Sequence, residues 1–355
     1  MIQEIYNEFI KSLRVKKIFV FGTGEYANNM KLEKIEVYSY VDNNAEKWGK
    51  FFKDRPIISP IELNQYINED VFIIIASTFF LEIANQLINM GFDSAKHFLY
   101  YENIKTETAF ENFCNLLEYK DIHKGKRAFL IGNGPSLKVE DLDKLQNEIT
   151  FAANKIYLAY EQTKWRPTYY FALDRLFIES NYEQINNIDG KKFFIESDKD
   201  LLNNQNNVIW LEYAKTWIKY ARVNDWWSVN NVPFTKDFSL VKETFGGATV
   251  IYTMLQLAYY MGINEVFLLG VDFNYKLPKL SDSINSKIFE GEGQNHFHPN
   301  YQQIGEKYNV PRLDIQYMVF PYAKQIFEAD NRRIYNATRS TKLDIFQLVD
   351  FDEII

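Results

Sequence analysis

Twice along this chain of 355 residues, a short apolar run leads directly into a glycine turn. Residues 17–21 (KIFVF) precede Gly22-Thr23-Gly24, and residues 127–131 (RAFLI) precede the GNGPSL turn of residues 132–137. Such short apolar runs predict buried strands. Alternating strand and helix patterns follow each turn, which predicts the α/β class with two domains, each built on a parallel sheet.

The same patterns predict how the chain is divided. We expect a small α/β domain at 1–105, a charged helical connector at 106–124 and a larger α/β domain at 125–355. The expected elements of the larger domain are strands at 127–131, 148–153, 169–173 and 265–269, helices at 248–261 and 317–330, and a long irregular loop at 276–300. Long loops inside compact domains are usually functional or mobile.

Composition excludes several classes of protein. The net charge of −7 and the lack of a long basic run argue against nucleic-acid binding. Cys114 is the single cysteine, so no intrachain disulfide exists, which indicates a reducing compartment. No apolar run approaches the ~20 residues of a transmembrane helix. We therefore expect a cytoplasmic protein, with peripheral attachment at the inner membrane face and a homo-oligomer both left open.

The turn after the second apolar run has the composition of a phosphate-binding loop. Gly132 and Gly134 let the backbone approach a ligand, and the next helix is expected to offer free N–H groups. Asn133 can bond a ribose or phosphate, while Ser136, after Pro135, can contact phosphate or cap the helix. The alternative is a tight strand–helix turn in which Ser136 is only a cap.

Polar residues follow the next two predicted strands. Asn154 ends one strand and Asp174 ends another. In a parallel sheet these positions line one crevice at the carboxyl edge. The alternative is ordinary turn chemistry, which Asn and Asp favour.

Small and polar residues also flank the helix expected at 248–261. Gly246 and Gly247 precede it and suit an anion or a base edge, or else close helix–sheet packing. Asp272 and Tyr275 follow the strand after it. Tyr275 can donate a hydrogen bond to a leaving phosphate in place of a metal; the alternative is a partly buried core tyrosine.

Two of the four histidines lie two residues apart. In an extended loop His296 and His298 would share one face. A metal pair would need a third ligand, for which Glu290, Glu292 or Asp272 are available. A general base needs a pKa near neutrality, which histidine has without tuning. We favour the base and predict no metal site.

The first glycine turn also resembles a known fingerprint. GTGEYA at 22–27, with Asp42 about twenty residues on, matches the dinucleotide-binding pattern with Ala27 as the permitted third position. A degenerate nucleotide fold used for packing or dimerisation is the alternative.

Several segments together resemble the motility-accessory-factor glycosyltransferase family, which is similar in fold to the bacterial sialyltransferases that use CMP-sialic acid. The segments are IGNGPSL, GGATVIYTMLQLAYYMGINEVFLLGVDFNY, HFHPNY and RIYNAT, within about 126–350. The resemblance implies two Rossmann-like domains, the C-terminal one GT-A-like or sialyltransferase-like. The small N-terminal domain resembles those attached to sugar-modifying enzymes.

The resemblance also implies roles for particular residues. It assigns the nucleotide to Gly132, Asn133, Gly134, Ser136, Asn154, Gly246 and Gly247, the departing phosphate to Tyr275, and the base to His298 or His296. The chain departs from the sialyltransferases at Phe245-Gly246-Gly247, where they have Thr-Ser-Gly, and in the spacing of the histidines. Their second phosphate-binding tyrosine has no clear counterpart.

The implied activity is inverting transfer of a sialic, legionaminic or pseudaminic type of nonulosonic acid. The donor is a CMP-sugar and the acceptor a hydroxyl of a protein, such as flagellin, or of a surface glycan. No cofactor is expected, with Mg²⁺ left open. One alternative is pyrophosphate transfer from ATP, as in the related archaeal 6-hydroxymethylpterin diphosphokinases. Another is a non-catalytic module that binds a nucleotide sugar.

Overall fold

The computed structural model describes residues 2–31, 35–94, 96–203, 205–214, 234–239, 242–276, 286–291 and 295–355. The chain forms two compact units, Met1–Glu118 with Asp237–Lys242, and Tyr119–Lys236 with Glu243–Ile355. The predicted boundaries at 105 and 124 stay a prediction. None of the helices in these ranges combines the length and the apolar character that crossing a bilayer requires.

The first unit is built on a largely parallel sheet. Its strands are β1 Lys17–Phe21, β2 Val37–Val41, β3 Phe51–Phe52, β4 Arg55–Ile58, β5 Val71–Ile75 and β6 Phe98–Tyr100. They lie in the order β3-β4-β2-β1-β5-β6, and only β3 runs antiparallel to its neighbour. The helices are α1 Ile2–Leu13, α2 Glu25–Asn29, α3 Pro60–Asn64, α4 Phe80–Asn89 and α5 Glu107–Leu117. Every residue of β5 is buried, as its VFIII sequence predicts.

The second unit is built on a larger sheet in which every described strand pair is parallel. Its strands are β7 Arg127–Ile131, β8 Ile149–Ala153, β9 Tyr169–Ala172, β10 Lys191–Ile195, β11 Val208–Tyr213, β12 Glu243–Thr244, β13 Glu265–Leu269, β16 Arg333–Asn336 and β17 Gln347–Leu348. The helices are α6 Val139–Asp143, α7 Arg175–Asn186, α8 Val250–Tyr260, α9 Leu313–Ala329 and α10 Phe351–Ile354. The α/β class and the two parallel-dominated, Rossmann-like sheets are therefore confirmed.

The order of the larger sheet contains a reversal. The strands run β12-β11-β10-β9-β8-β7-β13-β16-β17, so the chain extends the sheet from β7 toward β12 and then continues on the other side of β7. Such a reversal opens a crevice beyond the carboxyl ends of the two central strands, here β7 and β13. Helix α8 is apolar almost all round and buried, as its sequence predicts.

The loop expected to be irregular at 276–300 contains a short strand. Strand β14, Ser286–Ile288, pairs antiparallel with β15, Lys307–Asn309. The expectation was wrong here because the partner strand lies beyond the loop, at a distance that local pattern does not show. Two other parts of this loop, 277–285 and 292–294, lie outside the described residues.

Candidate functional site

A cavity of about 810 Å³ lies at the carboxyl edge of the larger sheet, around the reversal between β7 and β13. Its walls are the turns after β7, β8, β9 and β13, the segment 301–312 and the first turns of α8 and α9. The predicted site residues that line it are Gly132, Asn133, Gly134, Pro135, Asn154, Asp174, Gly246, Asp272, Tyr275 and His296. Ser136, Gly247 and His298 are not among its lining residues.

The glycines of the turn after β7 are required by their close approach to the turn after β13. The N–H of Gly132 donates to the carbonyl of Leu269 at 2.7 Å, and the N–H of Gly134 donates to the carbonyl of Gly270 at 2.9 Å. A Cβ on Gly132 would overlap the Gly270 carbonyl, and one on Gly134 would overlap the Asp272 carboxylate. These glycines therefore bring two strand ends together at the wall of the cavity.

Ser136 and Asp272 hold each other rather than a helix end. The Oδ atoms of Asp272 accept from the Ser136 N–H at 3.1 Å and from its Oγ at 2.8 Å. Burial raises the pKa of Asp272, and the hydrogen bonds from Ser136 oppose that rise. The expected helix directly after the glycines is absent at that position, because α6 begins only at Val139 and spans five residues. The expectation that a helix directly after the glycine turn offers free N–H groups was therefore wrong.

In the side-chain amide of Asn133, the nitrogen has a hydrogen-bond partner and the oxygen has none. Its Nδ2 donates to the carbonyl of Ala153 at 2.9 Å, which fixes the orientation of the amide. Its Oδ1 is buried and has no hydrogen-bond partner. A buried acceptor without a donor carries a desolvation cost. A ligand with an N–H or O–H group would remove that cost.

Asn154 and Asp174 combine turn chemistry with a place in the cavity wall. Asn154 has a φ of 53°, in the left-handed region that Asn tolerates, and its carbonyl accepts from the Tyr170 hydroxyl at 2.9 Å. Asp174 caps α7 by accepting from the Leu176 N–H at 3.0 Å. It also accepts from Nδ2 of Asn309 at 2.9 Å, which ties β15 to the sheet edge.

Gly246 and Gly247 pack against aromatic rings ahead of α8. A Cβ on Gly246 would lie 2.8 Å from the ring of Tyr213, and one on Gly247 would lie 2.7 Å from the ring of Tyr252. Gly247 also has a φ of 54°, which favours glycine. Close packing thus accounts for Gly247, whereas Gly246 reaches the cavity wall. Helix α8 itself is capped by Thr249, whose Oγ1 accepts from the Ile251 N–H at 3.3 Å.

The two histidines have different surroundings. Residues 296–298 form bends rather than a strand, so the extended backbone that would place both imidazoles on one face is not present. The N–H of Phe297 donates to the Asn133 carbonyl at 3.0 Å, which docks this segment on the glycine turn. His296 stacks on Tyr301 with ring centres 3.7 Å apart and lies 6.4 Å from the ring centre of Tyr275. His298 instead accepts from the Asn300 N–H at 3.2 Å through Nδ1.

Tyr275 is placed as a hydrogen-bond donor. Its side chain lines the cavity, and burial, with the charge of Asp272, raises the pKa of its phenol. The hydroxyl is therefore protonated at neutral pH.

Of the carboxylates considered as metal ligands, Glu292 lies outside the described residues. The described part of the chain contains no cluster of three or more His, Cys, Asp or Glu placed to hold a metal ion.

The imidazole of His296 is uncharged at neutral pH. Burial, and secondarily the positive charge of Lys155, lower its pKa to about 4. An NMR titration should therefore place the protonation midpoint of His296 near 4. The unfolded chain binds this proton near pH ~6.5, so this group's contribution makes the free energy of unfolding fall as the pH drops from ~6.5 toward 4. His296→Gln should remove that part of the slope; a midpoint near 6.5 in the folded protein would contradict the prediction.

Sequence reasoning missed three residues of the cavity wall. Lys155 is 4% exposed, and its Nζ lies 2.8 Å from Oε1 of Glu306. Tyr301 is buried, and its hydroxyl is hydrogen-bonded by the side chain of Asn154 and the backbone of Lys155. Tyr301 ends the HFHPNY segment, which was a signal for it. No local pattern marks Lys155 or Glu306, because their contact spans 151 residues.

In the first unit, the acidic residue of the dinucleotide-binding fingerprint, Asp42, is hydrogen-bonded to other residues of the protein. The Thr23 hydroxyl donates to Oδ2 of Asp42, the residue that would hold a ribose. The ammonium group of Lys47 lies 2.9 Å from the same oxygen, and the Asn44 N–H lies 2.9 Å from Oδ1. These hydrogen bonds lower the pKa of Asp42 against the opposing effect of burial. Both carboxylate oxygens are thus engaged, which favours the degenerate, structural alternative for GTGEYA.

The fold and the site define a class: an α/β protein with a ligand-sized cavity at the switch point of its larger parallel sheet. Residues 99–277, just over half of the chain, match the family model described as 6-hydroxymethylpterin diphosphokinase MptE-like. The chain therefore belongs to the MptE-like family. The predicted resemblance to the pterin diphosphokinase-like superfamily is confirmed. Residues 14–98 match a second model, described as C2185-like, N-terminal.

No curated protein matches the chain. The solved structure of a MAf glycosyltransferase from Magnetospirillum magneticum AMB-1 is similar over 99% of this chain, with 12% identity and a TM-score of 0.40. The chain spans 62% of the length of that structure.

Proposed function

We propose that this protein is a glycosyltransferase that takes a nonulosonic acid from a CMP-activated donor. One observation carries the proposal: Asn133, Asn154, Tyr275 and His296 converge on one cavity at the switch point of the sheet. Hydrogen-bonding side chains around such a crevice suit a nucleotide. The unpartnered Oδ1 of Asn133 supplies an acceptor for a hydroxyl or amine of that ligand.

The chemistry is a single displacement. The oxygen of the acceptor hydroxyl bonds to the anomeric carbon, the bond from that carbon to the phosphate oxygen breaks, and CMP departs with the electron pair. His296 takes the proton of the hydroxyl, and Tyr275 donates a hydrogen bond to the departing phosphate. The pKa of about 4 keeps His296 in its proton-accepting form. Phosphate charge nearby raises that pKa toward neutrality, where a base works best.

Pyrophosphate transfer to a hydroxymethylpterin is the second candidate, and membership of the MptE-like family favours it. Such a reaction needs Mg²⁺ to neutralise adjacent phosphates. The carboxylates of the described lining are Asp174, Asp272 and Glu306. Each already accepts from protein donors, namely Asn309, Ser136 and Lys155 respectively. Each carboxylate oxygen keeps a further lone pair beside those bonds, so the choice between the two reactions rests on ligand binding.

A ligand panel tests the choice. We expect CMP to raise the unfolding temperature without Mg²⁺, because a ligand at about 100 times its Kd stabilises the folded state by about 2.7 kcal/mol. The panel compares CMP, UDP, ATP and GTP with and without Mg²⁺ by thermal shift. Stabilisation by ATP with Mg²⁺, and none by CMP, would overturn the proposal in favour of pyrophosphate transfer.

A further inference from the structure

A buried ion pair crosses the cavity wall. The Lys155 Nζ lies 2.8 Å from Oε1 and 2.9 Å from Oε2 of Glu306. The two side chains are 6% and 15% exposed, and both residues line the cavity. Lys155 belongs to the turn after β8, whereas Glu306 precedes β15. The pair therefore joins the sheet edge to the segment that precedes β15.

Hydrogen bonds to neighbouring segments hold Glu306 in place. Its Oε2 accepts from the Gln303 N–H at 3.0 Å. Its backbone carbonyl accepts from the Phe289 N–H at 2.9 Å, which anchors it to the strand segment that includes β14. Since a buried ammonium group without an anion is costly, Lys155 needs such a partner while the cavity holds no anionic ligand.

Lys155 differs from the other basic residues of the described lining. Arg175 and Arg312 are exposed and paired with Asp200 and Asp314. Lys276 and Lys307 are also exposed. Lys155 is buried, and its Nζ lies 5.9 Å from the ring centre of Tyr301. Its positive charge contributes to the lowered pKa of His296. Its positive charge is therefore held beside the groups proposed to carry out the reaction.

We propose that Lys155 binds the phosphate of the nucleotide donor, and that Glu306 is the counter-anion that holds Lys155 when no phosphate is present. The inference rests on the proposed function, because it places the donor nucleotide in this cavity. Lysine binds phosphate as a point charge, so the ammonium group can be shared with, or passed to, a phosphate oxygen without a fixed geometry. The carboxylate of Glu306 then competes with the phosphate for one cation.

Calorimetric binding of CMP and of cytidine, which lacks the phosphate, tests the proposal. Glu306→Gln removes the competing charge and should tighten CMP binding about 3- to 10-fold, with cytidine unchanged. The double variant Lys155→Met with Glu306→Gln should weaken CMP binding about 10- to 100-fold and leave cytidine within about twofold. The double variant is used because Lys155→Met alone would leave a carboxylate buried without its partner.

A remote ion pair supplies the control. Asp141 is buried and paired with Arg339, and neither residue lines the cavity. Asp141→Asn should lower stability without changing the ratio of the two affinities. Equal changes for CMP and cytidine in the Glu306 and Lys155 variants would show a merely structural tie and overturn the inference.

Failure of the proposed function gives a different result. If the wild-type protein binds ATP and not CMP, the donor is wrong, and ATP against adenosine then tests Lys155 by the same comparison. If it binds no nucleotide, inorganic pyrophosphate is the probe. Binding of that anion that the double variant loses supports the role of Lys155, and no binding overturns it.

Discussion

Replacing His296 by alanine is expected to slow the release of CMP from a CMP-nonulosonic acid by about 10²- to 10⁴-fold, the usual contribution of a general base. His296 lines the cavity and is stacked on Tyr301, so its imidazole is held in place beside Tyr275. The affinity for CMP should change far less than the rate, because the base acts on the acceptor hydroxyl rather than on the nucleotide.

His298→Ala is the matched control for that experiment. It removes the other imidazole of the same segment, which is outside the cavity lining and bonded to the Asn300 N–H. We expect its rate to stay within about threefold of wild type, because this imidazole does not line the cavity. Loss of activity in His298→Ala, with activity kept in His296→Ala, would reverse the assignment. A wild-type protein that binds CMP and releases none from the donor would instead be a non-catalytic module.

Replacing Gly134 by alanine should destabilise the second unit by about 1–3 kcal/mol, the usual cost of overpacking, and weaken ligand binding as well. The added Cβ would overlap the Asp272 carboxylate and lie 2.8 Å from the Gly270 carbonyl. Asp272 cannot move aside easily, because it is buried and holds two bonds from Ser136. Relief would require the turns after β7 and β13 to separate. Urea unfolding and CMP titration measure the two effects.

Gly24→Ala provides the comparison for Gly134→Ala. Gly24 precedes α2 with a φ of −85°, and no atom lies within 4 Å of the position of an added Cβ. An alanine there should change the free energy of unfolding by no more than about 0.5 kcal/mol. Equal effects of the two substitutions would show that the approach of the two strand ends does not govern stability at Gly134.

Both candidate reactions need a positive charge near the phosphate of the nucleotide. Sugar transfer from a CMP-sugar and pyrophosphate transfer from ATP both place phosphate charge in the cavity. The buried ammonium group of Lys155 can bind that phosphate in either reaction. Sugar transfer develops charge on one phosphate, and a lysine with a tyrosine hydroxyl can stabilise it through oriented donors.

Much of the fold followed from local pattern. The apolar runs at β1, β7 and β13 predicted buried parallel strands, and the structure has them at nearly the same residues. The shortest strands, such as β3 and β12, have two residues each. They carry too few side chains for a period to appear, and their existence depends on a neighbour that local sequence does not reveal.

Sequence by itself determined that strands end in glycine, asparagine and aspartate turns, and this placed most of the cavity wall. Tertiary structure alone decided what each side chain does there. It bonded Ser136 to Asp272, gave His296 and His298 different partners, and brought Lys155 to Glu306. The reason is physical: strand and turn propensity depend on neighbours along the chain, whereas hydrogen bonds, burial and charge depend on neighbours in space.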